Sequence, residues 1–189
     1  MVPAATAPAA RGLIMALKHT GTIAIPDSEG SAFDHGAFDP RTRRIFVTHT
    51  RRSSVEVIDH DKSTHVATLP GFAEAAGLVA DEGIVLVTNR GDASMAVLDA
   101  ATLKTQAVLK TGPKPNGVAL VSRRDVAIAA SFGDESQGPK LHVISLDGRQ
   151  QYAIDLQEHH DGASPTRMPG ACSSLSVNLP WCLWQRCLN

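Results

Sequence analysis

Several short stretches hold polar side chains whose types and spacing could do chemistry. Asp34-His35 sets a carboxylate beside an imidazole, Pro115-Asn116 offers an amide, and each pair stands just before a run of strand-forming residues. His49 and Asn89 close two such runs forty residues apart, and repeated positions point to a repeated structural job, the capping of a turn. Asn89-Arg90-Gly91-Asp92 contains the tripeptide of integrin ligands, but three residues match by accident too easily, and Gly91 reads as a turn residue. His159-His160-Asp161 has metal-ligand chemistry yet lies in a tail of foreign composition. Cys172, Cys182 and Cys187 are odd in number and lack histidines at ligand spacing, so neither a disulfide framework nor a zinc site is read from them. No nucleophile elbow, phosphate loop, zinc-protease helix or dinucleotide fingerprint occurs, so no catalytic residue is named from the sequence.

The elements that position these residues must come from a chain of balanced charge. Lysine and arginine number 18 against 19 acidic residues, which leaves no basic excess to attract phosphate backbones, and nucleic acid is not an expected partner. The longest apolar runs, such as 77–87, are cut by charges well short of the ~20 residues a membrane span needs. The first residues are rich in alanine and proline without a basic start and an unbroken apolar stretch. They read as a flexible leader over 1–18 rather than a signal peptide, with translation starting at Met1 or Met15, and the localisation leans cytoplasmic.

Self-similarity is the strongest signal. IFVTH at 45–49 recurs as VLVTN at 85–89, and VEVID at 55–59 as MAVLD at 95–99, both offset by forty residues. A third copy holds VAIAAS at 126–131 and HVISL at 142–146, with the polar insertion 133–140 between them. Gly36, Gly77 and Gly117 are read as the openings of the three copies. Each copy is a string of short β-rich runs; the first gives strands at 36–39, 45–48, 55–58 and 65–69. Val85, Leu86 and Val87 are consecutive, which suits a sheet covered on both faces. Asp59 and Asp99 follow the third strand, where a carboxylate accepts backbone N–H groups and tightens a turn, and Asp147-Gly148 holds that place in the third copy.

A glycine-opened strand, a hydrophobic strand ending in threonine and then histidine or asparagine, and a V-x-V-I/L-D strand together resemble the forty-residue YVTN repeat of the YncE-like β-propellers. Residues 88–119 are its nearest copy, and the likeness covers about 20–156. The competing WD40 repeat is less favoured, because its Trp-Asp ending and Gly-His opening are missing. The resemblance implies an all-β fold: three four-stranded antiparallel blades over about 35–72, 75–113 and 115–156, and a lone N-terminal strand within 19–27. Such rings usually have seven blades and need roughly 280 residues, so the chain reads as a truncated propeller.

In propellers, ligands sit where the inner strands begin. That implies Asp34, His35 and Asn116 as ligand-binding positions, with Ala75-Ala76 in the same place of the second copy. Metal oxygens would be needed from several blades and the sequence offers too few, so no metal and no cofactor is assigned. The function implied is a non-catalytic binding scaffold for an unidentified ligand or protein. The alternatives are a lactonase-like propeller hydrolase and the silent product of a broken gene. The tail from 157 to 189, which holds Trp181, Trp184 and every cysteine, reads as irregular, and three explanations stand for it: translation out of frame, a linker, or a structured extension. Blade faces left uncovered, carrying Ile45, Val47, Val126 and Ile128, are expected to drive self-association.

Overall fold

The computed structural model describes residues 18–156. The expectations for the tail, and for all of the leader but residue 18, lie outside the described residues. Strands β1 (Gly36–Asp39), β2 (Arg44–His49), β3 (Ser54–Asp59) and β4 (Thr64–Pro70) form the first sheet. The second is β5 (Ala75–Asp81), β6 (Ile84–Asn89), β7 (Ser94–Asp99) and β8 (Thr105–Lys110). The third is β9 (Pro115–Val121), β10 (Val126–Ser131), β11 (Lys140–Ser145) and β12 (Gln151–Asp155). Each sheet is an antiparallel meander in sequence order, the form of a propeller blade.

Local chemistry sets the turns. Asp59 Oδ1 accepts the Lys62 N–H at 2.9 Å, Asp99 Oδ1 accepts those of Ala101 and Thr102 at 3.0 and 2.6 Å, and Asp147 Oδ1 accepts that of Arg149 at 3.0 Å. Gly148 takes φ 72°, and its N–H closes the β11–β12 hairpin on the Ser145 carbonyl at 2.8 Å.

Packing between sheets explains the hydrophobic pattern. One side of the middle sheet, carrying Leu78, Val85, Val87 and Leu98, meets Phe46, Val55 and Val57 of the first. The other, carrying Leu86, Met95, Val97 and Leu109, meets Ala127, Ala129 and Ile144 of the third. The run Val85-Leu86-Val87 is accordingly buried throughout, whereas β10 alternates between buried and half-buried residues. Ile45, Val47, Val126 and Ile128 are half-buried. The first strands lie side by side, with β5 against both β1 and β9, while β4 and β12 are largely exposed.

Two expectations are corrected. Residues 19–27 form no strand; the first among the described residues is Gly36–Asp39. A blade's outermost strand exists only as a ladder on its neighbour, and no described strand pairs with this segment. The glycine phase is also displaced in the first copy. Gly36 pairs with Val47 and Leu78 with Val87, so His35 stands where the later copies have Gly77 and Gly117. The turns between the first two strands hold four residues at 40–43, two at 82–83 and four at 122–125, so a constant offset of about forty does not carry the first-strand phase from one copy to the next.

Candidate functional site

The end at which β1, β5 and β9 begin is built around two threonines. Thr88 Oγ1 accepts the Gly77 N–H at 2.8 Å and donates across to the Asn116 carbonyl at 3.0 Å. Thr48 repeats this forty residues earlier, accepting the His35 N–H at 2.8 Å and donating to the Ala76 carbonyl at 2.8 Å. Each hydroxyl thus ties its own first strand to that of the next blade, in a buried setting where the bonds have no competition from water. The approach is close. A Cβ on Gly77 would lie 1.7 Å from the Asn116 carbonyl oxygen, so only glycine fits.

This stapling places Asp34, Ala76 and Asn116 at equivalent positions of three adjacent blades. Arg90, the first residue after β6, reaches to both sides: Nη2 donates to Asp34 Oδ2 at 2.5 Å and to Asn116 Oδ1 at 3.1 Å. The Asp34 carboxylate also meets His35 Nδ1 at 2.8 Å. The Arg90 side chain is 31% exposed and that of Asp34 27%, while the Arg90 Nε is buried and has no partner among the described residues. Asp34, His35 and Asn116 are therefore brought together, through an arginine that the sequence reading had set aside with the Arg-Gly-Asp match. The signal that could have found it is its uniqueness: the equivalent positions hold Thr50 and Phe132. No group of three metal-ligating side chains occurs among the described residues.

A second polar cluster lies on the face of the first sheet turned away from the middle one. Glu56 is 1% exposed, and both its oxygens are filled. His49 Nδ1 and Ser54 Oγ donate to Oε1 at 2.9 and 3.0 Å; His65 Nε2 and Thr68 Oγ1 donate to Oε2 at 2.9 and 2.6 Å. Burial raises the proton affinity of this carboxyl, but the bonds from Thr68, His49, His65 and Ser54 outweigh it and hold the group below its ordinary value. His49 does not cap a turn as its place in the repeat implied: its ring lies under Phe33 at 4.3 Å between centroids, and its Nε2 meets Ser31 Oγ. Asn89, its equivalent, instead donates from Nδ2 to Ser94 Oγ at 2.9 Å.

No family model matches the sequence, and no curated protein matches it. Solved structures do. The chain is similar to a hydrazine synthase of Kuenenia stuttgartiensis at 15% identity and TM-score 0.56. It is similar to U3-55K at 14% identity and TM-score 0.54, and to the WD40 repeats of RRP9 at 14% and 0.53. In each case 64% of this chain is covered and 36% of the other, so the chain spans about a third of the length of these structures. The fold is that of a β-propeller. Identities this low carry the architecture alone.

Proposed function

We propose that the chain is a binding propeller of the YVTN/YncE type, taking a ligand or protein partner where its first strands begin. The observation that carries this is Arg90, a partly exposed guanidinium held between Asp34 and Asn116 of the flanking blades. A planar cation fixed on two sides presents directed N–H groups to an incoming carboxylate or carbonyl, and His35 adds a further donor or acceptor beside it. The same reading takes the outward face of the third sheet, where Tyr152 is 67% and Ile154 46% exposed, as the surface through which two copies associate. Equivalent faces of the first two sheets pack against a neighbouring blade, which is the kind of cover this face is built to accept.

A thermal-shift screen against small carboxylates and carboxylate-bearing peptides tests the site. Compounds that raise the unfolding temperature of the wild-type chain are expected to lose their effect in Arg90→Ala and Asn116→Ala. Hits that stabilise both variants as well as wild type would put the ligand elsewhere and overturn the reading. Sedimentation velocity tests the face: Tyr152→Lys with Ile154→Lys should shift the chain toward monomer.

A further inference from the structure

We propose that Ser31 is a nucleophile, activated by His49 and Glu56 for acyl transfer from carboxylic esters. The three groups form one continuous chain: Ser31 Oγ to His49 Nε2, and His49 Nδ1 to Glu56 Oε1 at 2.9 Å. The tautomer follows from the partners. An ionised carboxylate only accepts, so Nδ1 carries the proton, and in the neutral imidazole Nε2 then presents its lone pair to the serine hydroxyl. This is the arrangement in which an imidazole takes a proton from a hydroxyl as that oxygen attacks.

Each member is held in place. Glu56 has four donors on its two oxygens and is 1% exposed, so it keeps its charge and its position. The His49 ring, also 1% exposed, is fixed between Glu56 and Phe33. The loop bearing Ser31 is tied to the first sheet by Arg51, which donates to the Gly30 carbonyl at 2.9 Å, and by Arg52, which donates to that of Asp27 at 3.0 Å. Ser31 is half-buried and Phe33 is 43% exposed, which leaves an apolar ring beside the hydroxyl for an acyl or aryl group. The N–H of Ala32, the residue after the serine, has no partner among the described residues; in α/β-hydrolases the residue after the nucleophile supplies one of the backbone donors to the developing oxyanion.

The constellation does not repeat. Where the first sheet has His49 and Glu56, the second has Asn89 and Ala96 and the third has Ser131 and His142. The architectural device of the same blades, the Thr48 and Thr88 staple, recurs. A feature present in one blade answers to something other than the stacking of blades.

The step balances without a further reactant but water. Ser31 Oγ bonds to the ester carbonyl carbon while its proton passes to His49 Nε2. The bond to the alcohol oxygen breaks, and that oxygen leaves with the proton from His49. Water then attacks the acyl-Ser31 ester and gives a proton to His49; the bond from the acyl carbon to Ser31 Oγ breaks, Oγ takes that proton from His49, and the carboxylic acid leaves. Glu56 acts through His49 and is a positioning residue.

Labelling the purified full chain with a fluorophosphonate, followed by peptide mass mapping, tests this independently of any ligand at Arg90. Ser31 of the native chain should be modified about 100-fold faster than in the same chain unfolded in urea, the gain a positioned general base supplies. Ser31→Ala should abolish the label, Ser136→Ala should leave it unchanged, and His49→Gln should slow it by a similar factor. Glu56→Asp should retain more labelling than the isosteric Glu56→Gln, because charge, rather than shape, is what the imidazole needs. p-Nitrophenyl butyrate should give a burst approaching one acyl group per chain. Labelling of native Ser31 no faster than in urea overturns the proposal whatever the variants do, and so does an equal rate for the Gln and Asp substitutions.

Discussion

The middle and third blades share one strand pattern and meet different neighbours. Leu86 and Ile128 occupy the same place in their second strands, as do Thr88 and Ala130; Gly77 and Gly117 correspond in the first. In the middle blade these positions press on the third: Leu86 is fully buried, Thr88 reaches the Asn116 carbonyl, and Gly77 leaves no room for a methyl group. In the third blade Ile128 is half-buried, Ala130 carries no hydroxyl, and a Cβ on Gly117 would meet only the Ala130 Cβ at 3.7 Å. The value of a repeat position is thus set by what stands against it, more than by the residue type that fills it.

Paired substitutions break or sharpen that contrast. The largest difference is expected from Leu86→Ala against Ile128→Ala: about 2–5 kcal/mol for the buried leucine and about 1 kcal/mol or less for the half-exposed isoleucine. Urea unfolding with unchanged m-values would measure both. Equal losses would mean that the outward face of the third blade is covered in solution, which makes the pair a test of self-association as well.

Next comes the glycine pair. Gly77→Ala must push the Asn116 carbonyl away and should cost about 1–3 kcal/mol, as overpacking does. Gly117→Ala has room and should be neutral or gain about 0.5 kcal/mol through lower backbone entropy in the unfolded chain. A thermal melt of each variant decides it; a neutral Gly77→Ala would show that the two first strands can separate at little cost. The threonine staple should give a smaller effect. Thr88→Val removes the partner of the buried Gly77 N–H and should cost about 1–2 kcal/mol, whereas Ala130→Thr should change stability by about 0.5 kcal/mol at most.

Much of the fold was legible because its causes are local. Asp59, Asp99 and Asp147 tighten turns with their own carboxylates, and Val85-Leu86-Val87 announced a sheet covered on both sides. Where a cause was not local, the reading failed. The segment 19–27 has the composition of a strand, but pairing is a property of two segments. Gly36 took the wrong phase because the turn after the first strand holds two residues in the middle copy and four in the others, so first strands and second strands recur at different offsets. That Asp34, His35 and Asn116 lie together at the end where the first strands begin was legible through their place before those strands. Arg90 was not, since its partners come from the other two blades. Glu56 sits between Val55 and Val57, where alternation places it on a solvent face; only the side chains of Ser54, His65, Thr68 and His49 make it a buried ion.

The smallest expected effect turns on one further repeat position, filled by Glu56, Ala96 and His142 in the three blades. His142 is 4% exposed, and its Nε2 accepts the Gly112 N–H at 2.8 Å, which fixes the neutral form with the proton on Nδ1. Burial, with the positive charge of Lys140 adding to it, holds the imidazole below its ordinary value of 6.5. The unfolded chain therefore takes up a proton at a pH where the folded chain still refuses it. The stability this contributes is complete above about pH 6.5 and falls as the pH drops below that value toward the folded one. Glu56 acts in a lower window: its carboxyl is held below 4.5, so its contribution is present above that value and is lost as the pH falls through the folded one. The middle blade, with Ala96, has no such group at this position. Urea midpoints measured between about pH 7.5 and pH 5 should fall in the wild-type chain and stay nearly level in His142→Gln, with the steeper loss below about pH 4.5 common to both. A wild-type midpoint flat above pH 5 would mean that His142 gains a proton as easily folded as unfolded, and that its bond to Gly112 does not hold the third blade to the linker from the second.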